Sequence, residues 1–315
     1  RLVMPTGSRI RDIAHWNSNL GSGNHLEGGE LLAYQFKPGH FTYIRADLTG
    51  AYDSIRYDSQ GSGGKVSSVV RELLYLYGED RVLVRDKVVA TAPSYSKKWL
   101  MHTVHKPRLK HTRIILGNQT AGVLESDADQ LLVENGRGRL DFERILPEPA
   151  VVRMIGGEGF EFYIEDLAHS NKLGGENFGE GGADRPWFEN SAWRVEVLPK
   201  APQQMDDFLM VLSPSLGTDR SGEVKSFGLL SGEAPAVATP EYVVVFTGGR
   251  RLEELSFELP GKQRALLLVG VVAKDAFEMV VEGREIQFEA AFSGVLALEF
   301  PKGIELGSIL SFRQK

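Results

Sequence analysis

Short runs in which apolar and polar positions alternate recur from residue 30 to the C-terminus, and no long stretch holds a 3.6-residue period. The pattern predicts strands. Residues 41–52, FTYIRADLTGAY, set the grammar: Phe41, Tyr43, Arg45 and Asp47 share one face of an extended segment, and Thr42, Ile44, Ala46 and Leu48 share the other. The second set reads as an apolar face, whereas the first mixes rings with charges. A turn at Lys37, Pro38 and Gly39 separates this segment from an earlier run, LLAYQF.

The runs at about 69–77 and 81–89 flank Gly78, Glu79 and Asp80, a three-residue connection that predicts a hairpin with a bulge. Arg71 is in phase with Val69, Leu73 and Tyr75, and Asp86 with Val82, Val84 and Val88, so each strand carries one charge on its apolar face. Folding about residue 79 sets position 71 opposite 87, and a bulge absorbs the one-residue offset to give a buried or half-buried Arg71–Asp86 ion pair. The pair reads as structural, because a buried charge needs a partner and breaking such a pair costs about 3–5 kcal/mol.

Further runs follow: AGVLES, QLLVEN, RLDFERILP, VVRMIGGEGFEFYIED, WRVEVLP and DDFLMVLSP. In WRVEV, Trp193, Val195 and Val197 alternate with Arg194 and Glu196, which places Trp193 in the core. Gly156 and Gly157 do not form a phosphate loop, since neither Gly-Lys-Ser/Thr nor a helix follows them. Residues 17–29, 61–64 and 171–182 read as loops. A Pro/Ala-rich boundary at 232–240 precedes EYVVVFT, ELSFELP, ALLLVGVV, FEMVVEGREIQFEA and GVLALEF. The expected architecture is all-β: a large antiparallel β-sandwich over residues 1–235, then a small C-terminal β-sandwich over 236–315.

Composition narrows the function classes. With 315 residues, 42% hydrophobic and 25% charged, the chain has the profile of an ordinary globular protein. A net charge of -6 and a pI near 5.7 argue against a surface that attracts nucleic acid as a whole. No apolar run approaches the roughly 20 residues needed to span a bilayer, so no membrane partner is expected. Cysteine is absent, which removes disulfides, thiolate metal sites and thiol nucleophiles. The first residues, RLVMPTGSRIRD, lack a signal-peptide core and start without Met, so the chain is read as a fragment or processed form.

Two stretches carry candidate chemistry. His15, Trp16, Asn17 and His25 fall in the first loop, where a ring can stack on a sugar and polar groups can bond its hydroxyls; the alternative is an ordinary loop whose Trp is anchored in the core. In HKPRLKHTR, Lys106, Arg108 and Lys110 alternate with Pro107, Leu109 and His111, so an extended chain projects three cations from one side. They are candidates for holding an acidic polysaccharide, or equally for guarding a sheet edge. His102 and His105 have helical ligand spacing, but in a strand they point to opposite faces, which argues against a metal site.

Many weak motifs in order then carry a resemblance: GSRIRDIAHW at 7–16, YIRADLTGAY at 43–52, the Arg71 and Asp86 strand pair, KWLMH at 98–102, GRLDFERILP at 138–147, IGGEGFEF at 155–162, AWRVEVLPK at 192–200 and DFLMVL at 207–212. With ALLLVGVVAKDAFEMVVEGREIQ near the C-terminus, they resemble the β-sandwich portion of the heparinase II/III-like polysaccharide lyases. The resemblance implies a supersandwich-like fold and β-elimination on uronate-containing polysaccharide. It also implies a preceding α/α toroid that carries most acid–base residues, together with any metal site, so this portion alone is expected to lack the catalytic centre. No cofactor is implied for it. The cleft-edge contributors carried over are Arg9, His15, Trp16, Asn17 and Tyr43, of which His15 and Tyr43 could touch the chemistry. The implied partners are an acidic polysaccharide and the toroid, and the implied location is secreted or periplasmic in a bacterium. A stand-alone carbohydrate-binding or structural module without catalysis is the competing expectation.

Overall fold

The computed structural model describes residues 29–52, 64–161, 163–164, 176–177, 192–217, 225–226, 234–249, 254–272, 276–281, 284–290, 294–300 and 308–314. The chain is all-β. In order, the first strands are β1 (Glu30–Lys37), β2 (Phe41–Asp47), β3 (Val66–Leu76), β4 (Arg81–Ala90), β5 (Trp99–Thr103), β6 (Arg108–Leu109), β7 (Arg113–Gly117) and β8 (Gly122–Ser126). Next come β9 (Gln130–Asn135), β10 (Gly138–Leu146), β11 (Ala150–Gly156), β12 (Tyr163–Ile164), β13 (Glu176–Asn177), β14 (Trp193–Pro199), β15 (Met205–Leu216) and β16 (Lys225–Ser226). The last are β17 (Ala236–Ala238), β18 (Tyr242–Phe246), β19 (Leu255–Glu258), β20 (Ala265–Val271), β21 (Ala276–Val281), β22 (Arg284–Glu289), β23 (Gly294–Glu299) and β24 (Ile309–Gln314).

These strands build four main sheets. The first runs β1-β2-β3-β4-β15-β10-β9-β6 and the second β5-β14-β11-β8-β7. The third runs β16-β17-β18-β20-β23 and the fourth β19-β24-β21-β22. Pairing is antiparallel except between β18 and β20.

Three hydrophobic cores stack the sheets in the order fourth, third, first, second. Phe257, Phe312, Phe277 and Met279 of the fourth sheet meet Val243, Val245, Leu266 and Leu268 of the third. The opposite face of the third sheet, with Val244, Phe246, Leu267 and Val269, packs on Phe41, Tyr43, Leu74, Leu76, Leu83 and Leu209 of the first. The other face of the first sheet contributes Leu131, Phe142, Phe208 and Met210 against Trp99, Val152, Val195 and Val197 of the second. Strands enclosed on both faces have no solvent side to mark with polar residues. YVVVF and ALLLVGV are accordingly continuous apolar runs, buried throughout.

The same enclosure corrects two sequence expectations. On β2 the mixed face is the buried one, because Phe41 and Tyr43 enter the core against the third sheet, while Ile44 on the supposed apolar face is exposed. On β3 and β4 the fully buried phase is Glu72, Leu74, Leu76 with Arg81, Leu83, Arg85, out of step with Arg71. The connection is also longer than expected: a 3-10 turn at Tyr77–Glu79 plus Asp80 in the left-handed region, φ 46°. That fourth residue removes the offset, so Arg71 lies directly opposite Asp86 without a bulge between them. The hairpin tip docks on the third sheet, where Glu79 Oε1 accepts from Thr239 Oγ1 at 2.6 Å and from the Glu241 amide at 3.0 Å.

Candidate functional site

Arg9, His15, Trp16 and Asn17 lie outside the described residues. Tyr43 does not stand at a cleft edge. Its side chain is enclosed between the first and third sheets, and its hydroxyl donates to Glu72 Oε1 at 2.7 Å. Burial first, and then the Glu72 carboxylate, push the phenol above its ordinary range, so it stays protonated. Glu72 also accepts from Arg85 Nη1 at 2.9 Å, and Arg85 reaches Asp207 Oδ1 through Nη2 at 2.8 Å. This network is an internal ionic layer that joins β2, β3, β4 and β15 beneath the third sheet.

Arg71 and Asp86 form a bidentate pair, with Nε to Oδ1 and Nη2 to Oδ2 both at 2.6 Å. The carboxylate is buried and the guanidinium side chain is 43% exposed. The hydrogen bonds to Asp86 outweigh partial burial and raise the Arg71 pKa. The pair closes a cross-strand contact on the face of the first sheet opposite the ionic layer.

The cation stretch forms the rim where the first and second sheets meet. Pro107 is buried, and Leu109 turns inward toward Leu124, Met154 and Trp193, which directs Arg108 and Lys110 outward. Arg108 is 75% exposed and pairs with Glu134 at 2.7 Å. The Lys110 ammonium has no ion pair among the described residues, while its carbonyl accepts from Ser126 Oγ at 2.6 Å. Lys106 departs from the alternation. Its ammonium bonds the Gln119 carbonyl and lies 5.5 Å from the Trp193 ring centroid, a cation–π contact that fixes it at the end of the sandwich.

Beyond Lys110 the rim gains a residue that the sequence pattern did not single out. His111 takes a left-handed conformation, φ 53°, and Arg113 follows at the start of β7, 76% exposed. Arg113 Nη2 donates to Glu125 Oε2 at 3.0 Å, and Glu125 is shared with Arg153 Nε at 2.9 Å. Register places Arg113, Glu125, Arg153 and Glu196 in one row across the outer face of the second sheet. Glu196 is shared likewise, between Lys98 Nζ at 2.9 Å and Arg194 Nε at 2.8 Å. Each carboxylate of the row therefore serves two cations, and the face leading from the rim is richer in guanidinium than in acid. The forks of Arg153 and Arg194 are engaged by these carboxylates and only 17% exposed, whereas Arg113 presents most of its guanidinium to solvent.

Three of the described histidines lie near this rim: His102, His105 and His111. His105 Nε2 lies 3.2 Å from Asn135 Oδ1, and both it and His111 are exposed. His102 sits opposite Arg194 in the second sheet; partial burial first, and then that guanidinium, hold its imidazole below the ordinary range. Among the described residues no group of three or more His, Asp or Glu side chains is arranged to hold a metal.

Solved structures give partial matches. The chain is similar to heparinase III structures. A heparinase III crystal structure matches over 67% of this chain and 26% of its own, at 8% identity and a TM-score of 0.37. A heparan sulfate lyase mutant from Pedobacter heparinus matches over 74% of this chain and 32% of its own, at 9% identity and a TM-score of 0.34. A heparinase III gene product matches over 74% and 31%, at 7% identity and a TM-score of 0.36. The chain thus covers 26–32% of the structures it matches. No known family profile and no curated protein matches the sequence.

Proposed function

We propose that this chain is the β-sheet portion of a heparinase II/III-like polysaccharide lyase, and that its own task is to hold an acidic polysaccharide along the rim of β6 and β7. The observation that carries this reading is the outward set Arg108, Lys110 and Arg113, joined to the guanidinium-rich face of the second sheet. Long-range attraction is not required. The net charge of -6 leaves the local field of the rim to select carboxylated or sulfated chains at short range.

The reaction explains the division of labour. β-Elimination removes the proton at C5 of a uronate, breaks the C4–O bond of the neighbouring linkage and leaves a C4–C5 double bond. It needs a base at C5, an acid for the departing oxygen and neutralisation of the uronate carboxylate. The base and acid belong, in this reading, to an α/α toroid partner, and the enzyme works outside the cytoplasm where such polymers occur. The rim guanidiniums supply charge for the sugars that flank the reacting one.

The test compares this chain with the full-length protein on alginate and heparan sulfate, following the ultraviolet absorbance of the unsaturated product. Product from the full-length protein and none from this chain is the expected result. Product from this chain alone overturns the division of labour. Product from neither, with glycan binding retained, favours a stand-alone binding module.

A further inference from the structure

Among the described residues the first sheet ends at β6 on one side and at β1 on the other, and the two edges are built differently. At β6 the edge is two residues long and is guarded by Lys106, Pro107 and Arg108. At β1 it is eight residues long, and its sequence ELLAYQFK keeps charge only at the ends. Leu31 is 63% exposed and Tyr34 58%, with Leu32 and Phe36 exposed beside them. An apolar edge of this length is a template for another strand. β1 is also held in place: it pairs with β2 along its length, and Gln35 Oε1 accepts from the Val295 amide at 2.6 Å.

A bulge decides which residues can face one another. Leu31 pairs with Ala46 and Ala33 with Arg45, so Leu32 is the extra residue. Leu31 therefore shares a face with Tyr34 and Phe36, while Glu30, Ala33, Gln35 and Lys37 share the other. In an antiparallel self-pairing with Tyr34 opposite Tyr34, Ala33 meets Gln35. With Leu32 skipped in both strands, Leu31 meets Phe36 and Glu30 meets Lys37. Every pair then joins residues of the same face, the two apolar ends lie against each other, and both end charges find opposite partners. A shift by two residues leaves the end charges unmatched, and a parallel pairing sets like charges together.

We propose that β1 pairs antiparallel with β1 of a second copy of this chain, about a two-fold axis through Tyr34, so that one sheet runs through both protomers. The interface is isologous, and its specificity comes from the Glu30–Lys37 pairs and the Leu32 bulge.

Sedimentation velocity over a concentration series is expected to show a monomer–dimer equilibrium. Phe36→Lys and Leu31→Lys should each give monomer that keeps the circular-dichroism spectrum of the folded chain. Lys37→Glu should weaken the dimer on the order of tenfold, because two opposite-charge pairs become like-charge pairs, and adding Glu30→Lys should restore it. The chain has no cysteine, so Tyr34→Cys introduces a single thiol on the proposed axis. Mild oxidation with diamide should link it into a covalent dimer, whereas Tyr95→Cys on another part of the surface should not. A chain that stays monomeric at all concentrations overturns the proposal, as does a dimer that Lys37→Glu leaves intact or that Tyr34→Cys fails to cross-link.

Discussion

Arg85 is almost fully enclosed, yet its charge is divided between two carboxylates, Glu72 at 2.9 Å and Asp207 at 2.8 Å. Removing the guanidinium leaves Glu72 buried and unpaired beside Tyr43, so Arg85→Met should cost about 3–5 kcal/mol in urea denaturation. A loss under about 1 kcal/mol would show that water reaches the layer. Arg71 is a different case, because its side chain is 43% exposed. In a double-mutant cycle of Arg71→Met with Asp86→Leu, the coupling should be about 1 kcal/mol, well below the figure expected for a fully buried pair. Glu125 sets an acid-side limit. Partial burial raises its carboxyl, but the hydrogen bonds from Arg153 and Arg113 outweigh this and hold it below 4.5. A depressed carboxyl contributes stability that is complete above the unfolded value and is lost as pH falls through the folded one. Melting temperature should therefore decline below about pH 4.5, and Glu125→Gln should flatten that decline.

Period-two alternation located most strands, and in WRVEV it also assigned the faces: Trp193, Val195 and Val197 are core. It could not choose a face on β3 and β4, because both phases of a strand between two layers are apolar and the ions hide in one of them. Left-handed residues were equally illegible. Asp80 lengthens the hairpin turn and His111 brings Arg113 to the rim, yet neither is a glycine. Gly270 shows where glycine is required. It is the extra residue of a bulge in β20 opposite β23, at φ 85°, and an added Cβ would lie 2.7 Å from Glu72 Oε1. Gly270→Ala should destabilise by about 1–3 kcal/mol, from strain and from crowding of the ionic layer. A neutral result would mean that Glu72 moves freely.

The stacked sheets explain why the cationic stretch is presented at a rim: both faces of the third sheet, and the β15, β10 and β9 part of the first, are taken up by packing. The outward setting of Arg108 and Lys110 was legible in the sequence, since Pro107 and Leu109 turn inward, but Lys106 does not follow the pattern. The capture of Lys106 by Trp193 and the addition of Arg113 were not, because both depend on β14 and β8, remote in the chain. The most direct test of the glycan-holding role is calorimetric titration of heparan sulfate and alginate into the wild-type chain and into Arg108→Glu/Lys110→Glu/Arg113→Glu. The wild type should bind at least one of the two, more weakly as salt rises, and the triple variant should lose that binding while keeping the circular-dichroism spectrum of the folded chain. Equal binding by both proteins, or none by the wild type at low salt, would contradict the account.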